Sequence, residues 1–198
     1  MAGTADSWRG TALAAGYGRL YGQMATPGAS ARHTLFSDGT PDATANPNAF
    51  HFGVTDKGSK LSVKVNYTDF TADEFRGPLV TIVDKVEMSI STALLAVTDM
   101  DVVKNILAGV GTYSTAAGYK QVTIGSLAIA YQSVVLISQM IEDTTKYQVF
   151  ALYSAINKSG LEWDQARVAR GAMPVNFMGY EVTSRATADT LGNVWKQI

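Results

Sequence analysis

The sequence predicts a mainly β chain with one flanking α-helix, and three stretches carry that prediction. From Leu61 onward, Leu61, Val63, Val65 and Tyr67 interleave with Ser62, Lys64, Asn66 and Thr68, the period of a strand with one buried and one wet face. Val86, Met88, Ile90 and Leu94 alternate with Glu87, Ser89 and Ser91 in the same way. Behind them Thr98, Asp99 and Asp101 open a helical pattern, with a capping side chain and two acids at the positive end of its dipole. Val102, Val103, Ile106 and Leu107 form its single apolar stripe, and Gly109 is its stop.

Composition bounds the rest. The 198 residues suit one domain that buries its own core. Sixteen basic residues stand against 17 acidic ones, a net charge of -1, so the whole chain is not marked as a binder of nucleic acid or anionic membrane. Without cysteine there is no disulfide framework, thiolate zinc site or cysteine nucleophile. The first 16 residues lack a basic start and an apolar run, and no window reaches the roughly 18 apolar residues of a membrane helix. A soluble protein made in the cytoplasm, with no membrane partner, is the expectation.

Residues 1–48 are rich in Gly, Ala, Thr, Ser and Pro, and glycine at that density opposes a helix by about 1 kcal/mol per residue. They read as an irregular N-terminal arm, with Trp8, Leu13, Tyr17, Leu20, Tyr21 and Met24 as anchors onto its own domain or a neighbour. Residues 49–198 read as the β domain. Its two alternating strands flank a polar excursion, Asp69 to Pro78, closed by Gly77-Pro78. After the helix, Gly109 to Gly118 reads as a turn-rich connection. Gln121 to Ile156 reads as sheet, folded into a hairpin at Glu142 to Thr145 and covered on both faces by core and by a helix or another subunit. Asn157 to Gly160 is a turn, and Met173 to Val182 is the last strand, with Pro174 at its start where a missing donor costs least. The tail beyond Thr183 is polar apart from Leu191, Val194 and Trp195.

Chemistry finds little to hold. His33 and His51, with Asp38 and Asp42 between them, match no ligand spacing, so no metal site is expected. Gly16-Tyr17-Gly18 lacks the third glycine and the strand of a phosphate loop, so no cofactor is expected either. Trp163, Arg167 and Arg170 sit beside Glu162 and Asp164, a rim of mixed charge more than a stacking platform for nucleic acid. Asp69, Asp73 and Glu74 have no motif that fixes their separation, and no nucleophile, base and orienter group together, so no catalytic residue is expected. Phe75, amid Asp73, Glu74 and Arg76, reads equally as part of a solvated loop or as an interface anchor with a polar rim.

Three segments taken in order, HFGVTDKGSKLSVKVNY, GPLVTIVDKVEMSISTALLAVTDMDVVKNILAG and AMPVNFMGYEV, resemble the major tail tube protein of long-tailed, non-contractile bacteriophages. Gly53, Thr55, Gly58, Gly77, Pro78, the helix from Thr98 to Gly109, and Pro174 to Phe177 carry the resemblance, which spans about three quarters of the chain by order of elements and leaves out residues 1–48. It implies a bent β-sandwich or half-barrel subunit that forms hexameric rings, stacked into a tube through which genome DNA passes without specific binding. Its partners would be further copies of itself and other tail proteins such as the tape measure and terminator, within a virion. Ser62, Lys64, Asn66, Glu87, Ser89 and Ser91 would then face the lumen, and Leu61, Val63, Val65, Val86, Met88 and Ile90 the subunit core. Asp69, Asp73, Glu74, Phe75 and Arg76 would form the ring-to-ring contact. A tail terminator or completion protein, a head decoration protein, and a small-ligand-binding β-barrel are the alternatives.

Overall fold

Two runs with a strand's period separated by a short excursion have one economical solution, which is to pair with each other. In the computed structural model they do so along nearly their whole length. The structure describes residues 18–23, 36–37, 40–53, 55–70, 80–95, 100–107, 111–125, 129–140, 143, 145–162, 172–186 and 189–196. In chain order the elements are β1 (Gly18–Gly22), β2 (Phe36–Ser37), β3 (Thr40–Pro41), β4 (Phe50–His51), β5 (Thr55–Phe70), β6 (Val80–Leu94), α1 (Met100–Ile106), β7 (Gly111–Ala116), β8 (Tyr119–Ile124), β9 (Gln132–Gln139), β10 (Tyr147–Asn157), β11 (Met173–Gly179) and β12 (Gly192–Lys196).

The chain is mainly β, with one short helix among the described residues. Eight strands make one antiparallel sheet in the order β4-β1-β9-β10-β11-β6-β5, and β12 pairs with β10 off that path. β2 pairs with β3, and β7 with β8, as separate ribbons. β10 forks. β9 runs along one of its edges, while the other edge is divided between β12 at Gln148 to Leu152 and β11 at Ala155 to Asn157.

One face of the sheet holds the main core, where Leu20, Phe52, Met88, Ile90, Leu94, Val134, Leu136, Leu152 and Phe177 meet Val102, Val103 and Ile106 of α1. The four residues of the expected apolar stripe are the buried residues of the helix and its C-terminal turn. On the opposite face Val135, Ile137, Val149, Ala151 and Tyr153 form a second cluster with Tyr21. β9 and β10 are thus covered on both sides as their composition demanded. Against the second cluster pack this chain's own Ala49, Tyr147, Val182 and Trp195.

Three readings of the sequence are corrected. Gly18–Gly22 lies inside the stretch read as an irregular arm, yet it is β1, an interior strand between β4 and β9, with Leu20 fully buried. Its glycines serve close packing: a Cβ on Gly18 would come within 2.5 Å of the Leu136 side chain, and one on Gly22 within 2.5 Å of the Phe50 ring. The sheet therefore does not respect a boundary at residue 48. Trp8, Leu13, Tyr17 and Met24 lie outside the described residues. The stretch read as a turn-rich connection after the helix contains β7, which forms a hairpin with β8 through Gly118 at φ +90°. The polar tail contributes a further strand, β12, so β11 is not the last.

The acidic turn between β9 and β10 is formed as expected, with the Thr145 N–H and hydroxyl both donating to Asp143 at 3.0 and 2.6 Å. So is the Asn157 turn, whose carboxamide oxygen accepts from Ser159 and from the Asn176 N–H at 3.0 Å. Between β11 and β12 the chain makes an excursion clasped by charge. The Tyr153 hydroxyl donates to Asp189 at 2.6 Å, Arg185 pairs with the same carboxylate at 2.8 Å, and the guanidinium lies over the Tyr153 ring.

Burial, and then the bond to Asp189, push the Tyr153 phenol above its ordinary value of 10.0. A raised folded-state value gives stability that is complete below the unfolded value and lost as pH rises through the folded one. Tyr153→Phe is therefore expected to cost roughly 1–3 kcal/mol at neutral pH, the worth of a hydrogen bond to a charged group. It should also flatten the decline in stability above about pH 10, measured by urea unfolding across pH. An unchanged alkaline slope would show that Tyr153 does not set it.

Candidate assembly interface

β11 accompanies β6 only as far as the Met178 to Ser89 pair. Beyond that point, Val80 to Met88 have only β5 as a neighbouring strand among the described residues. The outer parts of β5 and β6 thus project as a two-stranded arm, on the order of 25 Å for eight residues per strand. An isolated two-stranded ribbon is marginal in water, and this one is internally braced. Thr81 donates to Asp69 at 2.6 Å, and Thr68 to Asp84 at 3.1 Å.

Register decides which face each side chain joins. Ser62 opposes Ser89, Lys64 opposes Glu87, Lys60 opposes Ser91 and Asn66 opposes Lys85. Cross-strand partners share a face, so Ser62, Lys64, Asn66, Glu87, Ser89 and Ser91 stand together, and Lys60 and Lys85 join them. Lys85 pairs with Glu87 at 2.6 Å. Through that shared hydrogen bond the lysine is held above, and the glutamate below, its ordinary value. Both stay ionised at neutral pH and offset one another.

The other face is corrected along most of its length. Met88 and Ile90 are buried and Leu61 is half-buried, but Val63, Val65 and Val86 are exposed at 54, 37 and 39%. The alternation is real, yet the arm has left the body of the protein by the time it reaches them, and no core is there to receive their face. Between Asn66 and Tyr67 the register slips, with Asp84 as the extra residue of a bulge. The slip re-phases β6. Tyr67 and Val83 stay on the face of Val63, while Phe70, Val80 and Ile82 emerge on the polar one. The arm's end is therefore apolar on both sides, and each of these five is about half exposed or more.

Of the expected contact residues, Asp69 lies within β5 and is engaged by Thr81; Asp73, Glu74, Phe75 and Arg76 lie outside the described residues. Tyr67, Phe70, Val80, Ile82 and Val83, the exposed apolar residues of the arm, went unrecognised as candidates for contact. The signal was the adjacent Ile82 and Val83, which break a period of two and put apolar side chains on both faces of a strand.

The remaining candidates have structural partners. His51 accepts from the Gly53 N–H at 3.1 Å and meets the Tyr21 ring edge to face at 4.9 Å. Asp42 closes a turn through the Thr44 and Ala45 amides. Among the described residues no three metal-ligating side chains cluster, and no helix is long and apolar enough to cross a membrane. His33, Asp38, Gly16, Tyr17, Trp163, Arg167 and Arg170 lie outside the described residues. No protein-family model matches the chain, and no curated protein matches it in sequence.

Proposed function

We propose that this chain is a virion structural subunit that stacks as hexameric rings into a phage tail tube, the conduit for DNA delivery. The observation that carries the reading is the arm, a braced ribbon leaving the body with apolar side chains on both faces of its end. Exposed apolar surface of that extent marks an interaction site. The order of sequence features that resembles tail tube proteins supports the same conclusion, as does the mainly β fold.

The face bearing Ser62, Lys64, Asn66, Glu87, Ser89 and Ser91 is the proposed lumen wall. A conduit must be wet without gripping phosphate, because each phosphate neutralised by a lysine adds to a salt-dependent affinity. Lys60 and Lys85 bring more positive charge to this face than the six residues alone, and Glu87 and Asp84 temper it.

Negative-stain electron microscopy over a concentration series, with light scattering in parallel, tests the reading. Hollow rods or stacked rings that lengthen with concentration are expected. Discrete single rings that never stack would overturn it in favour of a terminator or completion protein, and a stable monomer that takes up an apolar probe in favour of a small-ligand carrier.

A further inference from the structure

β5 ends the strand order, so beyond Ser59 its far edge meets no other strand among the described residues. The outward N–H and C=O groups along Lys60 to Phe70 are a ready template for one more strand. The two strands of the arm do not offer such an edge equally. The extra residue at Asp84 interrupts β6, whereas β5 runs from Ser59 to Phe70 without one. Every residue from Val63 to Tyr67 is exposed.

We propose that β5 pairs along this edge with β5 of a second copy of this chain, antiparallel and two-fold about Val65. Val65 is the midpoint of Lys60 to Phe70, so this register uses the whole run. Val65 then faces itself, Val63 faces Tyr67, Lys64 faces Asn66 and Ser62 faces Thr68. These are favourable cross-strand pairs: β-branched against aromatic, ammonium beside amide, hydroxyl against hydroxyl. Other registers are poorer. A slip of one residue turns the apolar set of one strand to the polar face. Centring on Lys64 sets lysine directly opposite lysine, and centring on Asn66 moves Asp69 from the end of the run, against Leu61, inward against Val63. About Val65 the two Lys64 side chains lie only diagonally, each still opposite Glu87 of its own chain. The occupant is a second copy because the edge is complementary to itself, pair by pair. The pairing forms about ten backbone hydrogen bonds, as many as a standard interface carries. It also makes the two-stranded arm half of a four-stranded sheet, which no longer depends on its own bracing. The inference goes beyond the tube reading and concerns the subunit before assembly. A two-fold contact closes on itself and cannot grow, so paired copies are withheld from rods until they part.

The chain has no cysteine of its own, so single cysteines report the register directly. Val63, Val65 and Tyr67 are exposed, and replacing any one should leave the thermal midpoint within a few degrees of the parent. Analytical ultracentrifugation of the parent below the concentration at which rods appear should show a dimer. Under mild oxidation Val65→Cys should link to itself. Val63→Cys and Tyr67→Cys should each stay unlinked alone and link to one another when mixed. Val65→Asp, which sets two carboxylates face to face on the two-fold axis, should weaken the dimer roughly tenfold or more. The oxidised Val65→Cys dimer should grow no rods until it is reduced. A parent that is monomeric under these conditions, or Val63→Cys linking to itself as fast as Val65→Cys, overturns the pairing, and rods from the same protein would leave the tube reading standing. Rods grown from the oxidised dimer overturn the two-fold contact as a bar to assembly. The expected linking pattern with no rods at any concentration upholds the pairing and removes the tube.

Discussion

Phe177→Ala is expected to lower the free energy of unfolding by roughly 3–5 kcal/mol, the usual cost of emptying a buried phenylalanine site. Phe177 is fully buried on β11, opposite Ile90 of β6, and its ring lies 5.1 Å from that of Phe52, itself fully buried and 4.7 Å from Phe50. The cavity would open where β11, β6 and the segment after β4 converge, and sheet backbones cannot collapse into it without breaking register. Since a domain's whole stability is about 5–15 kcal/mol, the variant should unfold at much lower urea, with the slope of the transition unchanged. Val63→Ala, at a site 54% exposed in the same sheet, should fall within about 0.5 kcal/mol of the parent. A loss below about 1 kcal/mol at Phe177 would mean that the three aromatic rings do not hold this part of the core together.

The second large effect runs the other way, great for assembly and slight for the subunit. Tyr67→Ser, Phe70→Ser and Ile82→Ser together remove three apolar side chains that are exposed at 62, 54 and 49% in the isolated chain. If assembly buries even half of each, at about 1.5–3 kcal/mol for a fully buried side chain the loss is roughly 3 kcal/mol per contact. At 1.4 kcal/mol per tenfold, the concentration at which rods appear should rise about 100-fold. Light scattering gives that concentration and thermal unfolding gives the subunit's stability. Rods at the parent's concentration would remove the arm from the contact.

These two experiments divide the molecule where sequence reading succeeded and where it stopped. Met88, Ile90, the helix stripe and the β9–β10 hairpin were legible because a local period reports directly on local burial. Val63, Val65 and Val86 carry the same period and are exposed, because period shows which residues share a face and cannot show whether anything covers it. Gly18 and Gly22 looked like irregular chain because composition was judged against helix; their role depends on Leu136 and Phe50, residues distant in sequence. Trp195 and Val194 were visible as apolar positions in a polar tail, but a five-residue strand with no flanking pattern is defined by its partner, Val149 and its neighbours on β10. The arm's contact surface was sought from Asp69 to Arg76, of which Asp73 to Arg76 lie outside the described residues. The exposed apolar side chains on both faces beside the bulge at Asp84 were announced only by the adjacent Ile82 and Val83, a break in period that is easily passed over between two regular runs.

The fork in β10 sets how the subunit bears a load. Tension drawn along the arm enters the body through β6 and passes to β11 across six registered pairs, Met173 to Met178. From β11 it reaches β10 across only three, at Ala155, Ile156 and Asn157, flanked by the Tyr180 amide on the Ser154 carbonyl and the Lys158 amide on the Asn176 carbonyl. The branch made by β9 and β12 lies past that neck in the hydrogen-bond ladder, and it meets β6 directly through side chains alone, with Met88 against Gly192 and the shared core of Ile90, Val134 and Leu136. Between the arm and the strands that hold Tyr153 and Trp195 the backbone ladder is thus narrowest at the junction of β10 and β11, where the side chains of Phe177, Leu152 and Ala155 do the rest of the joining.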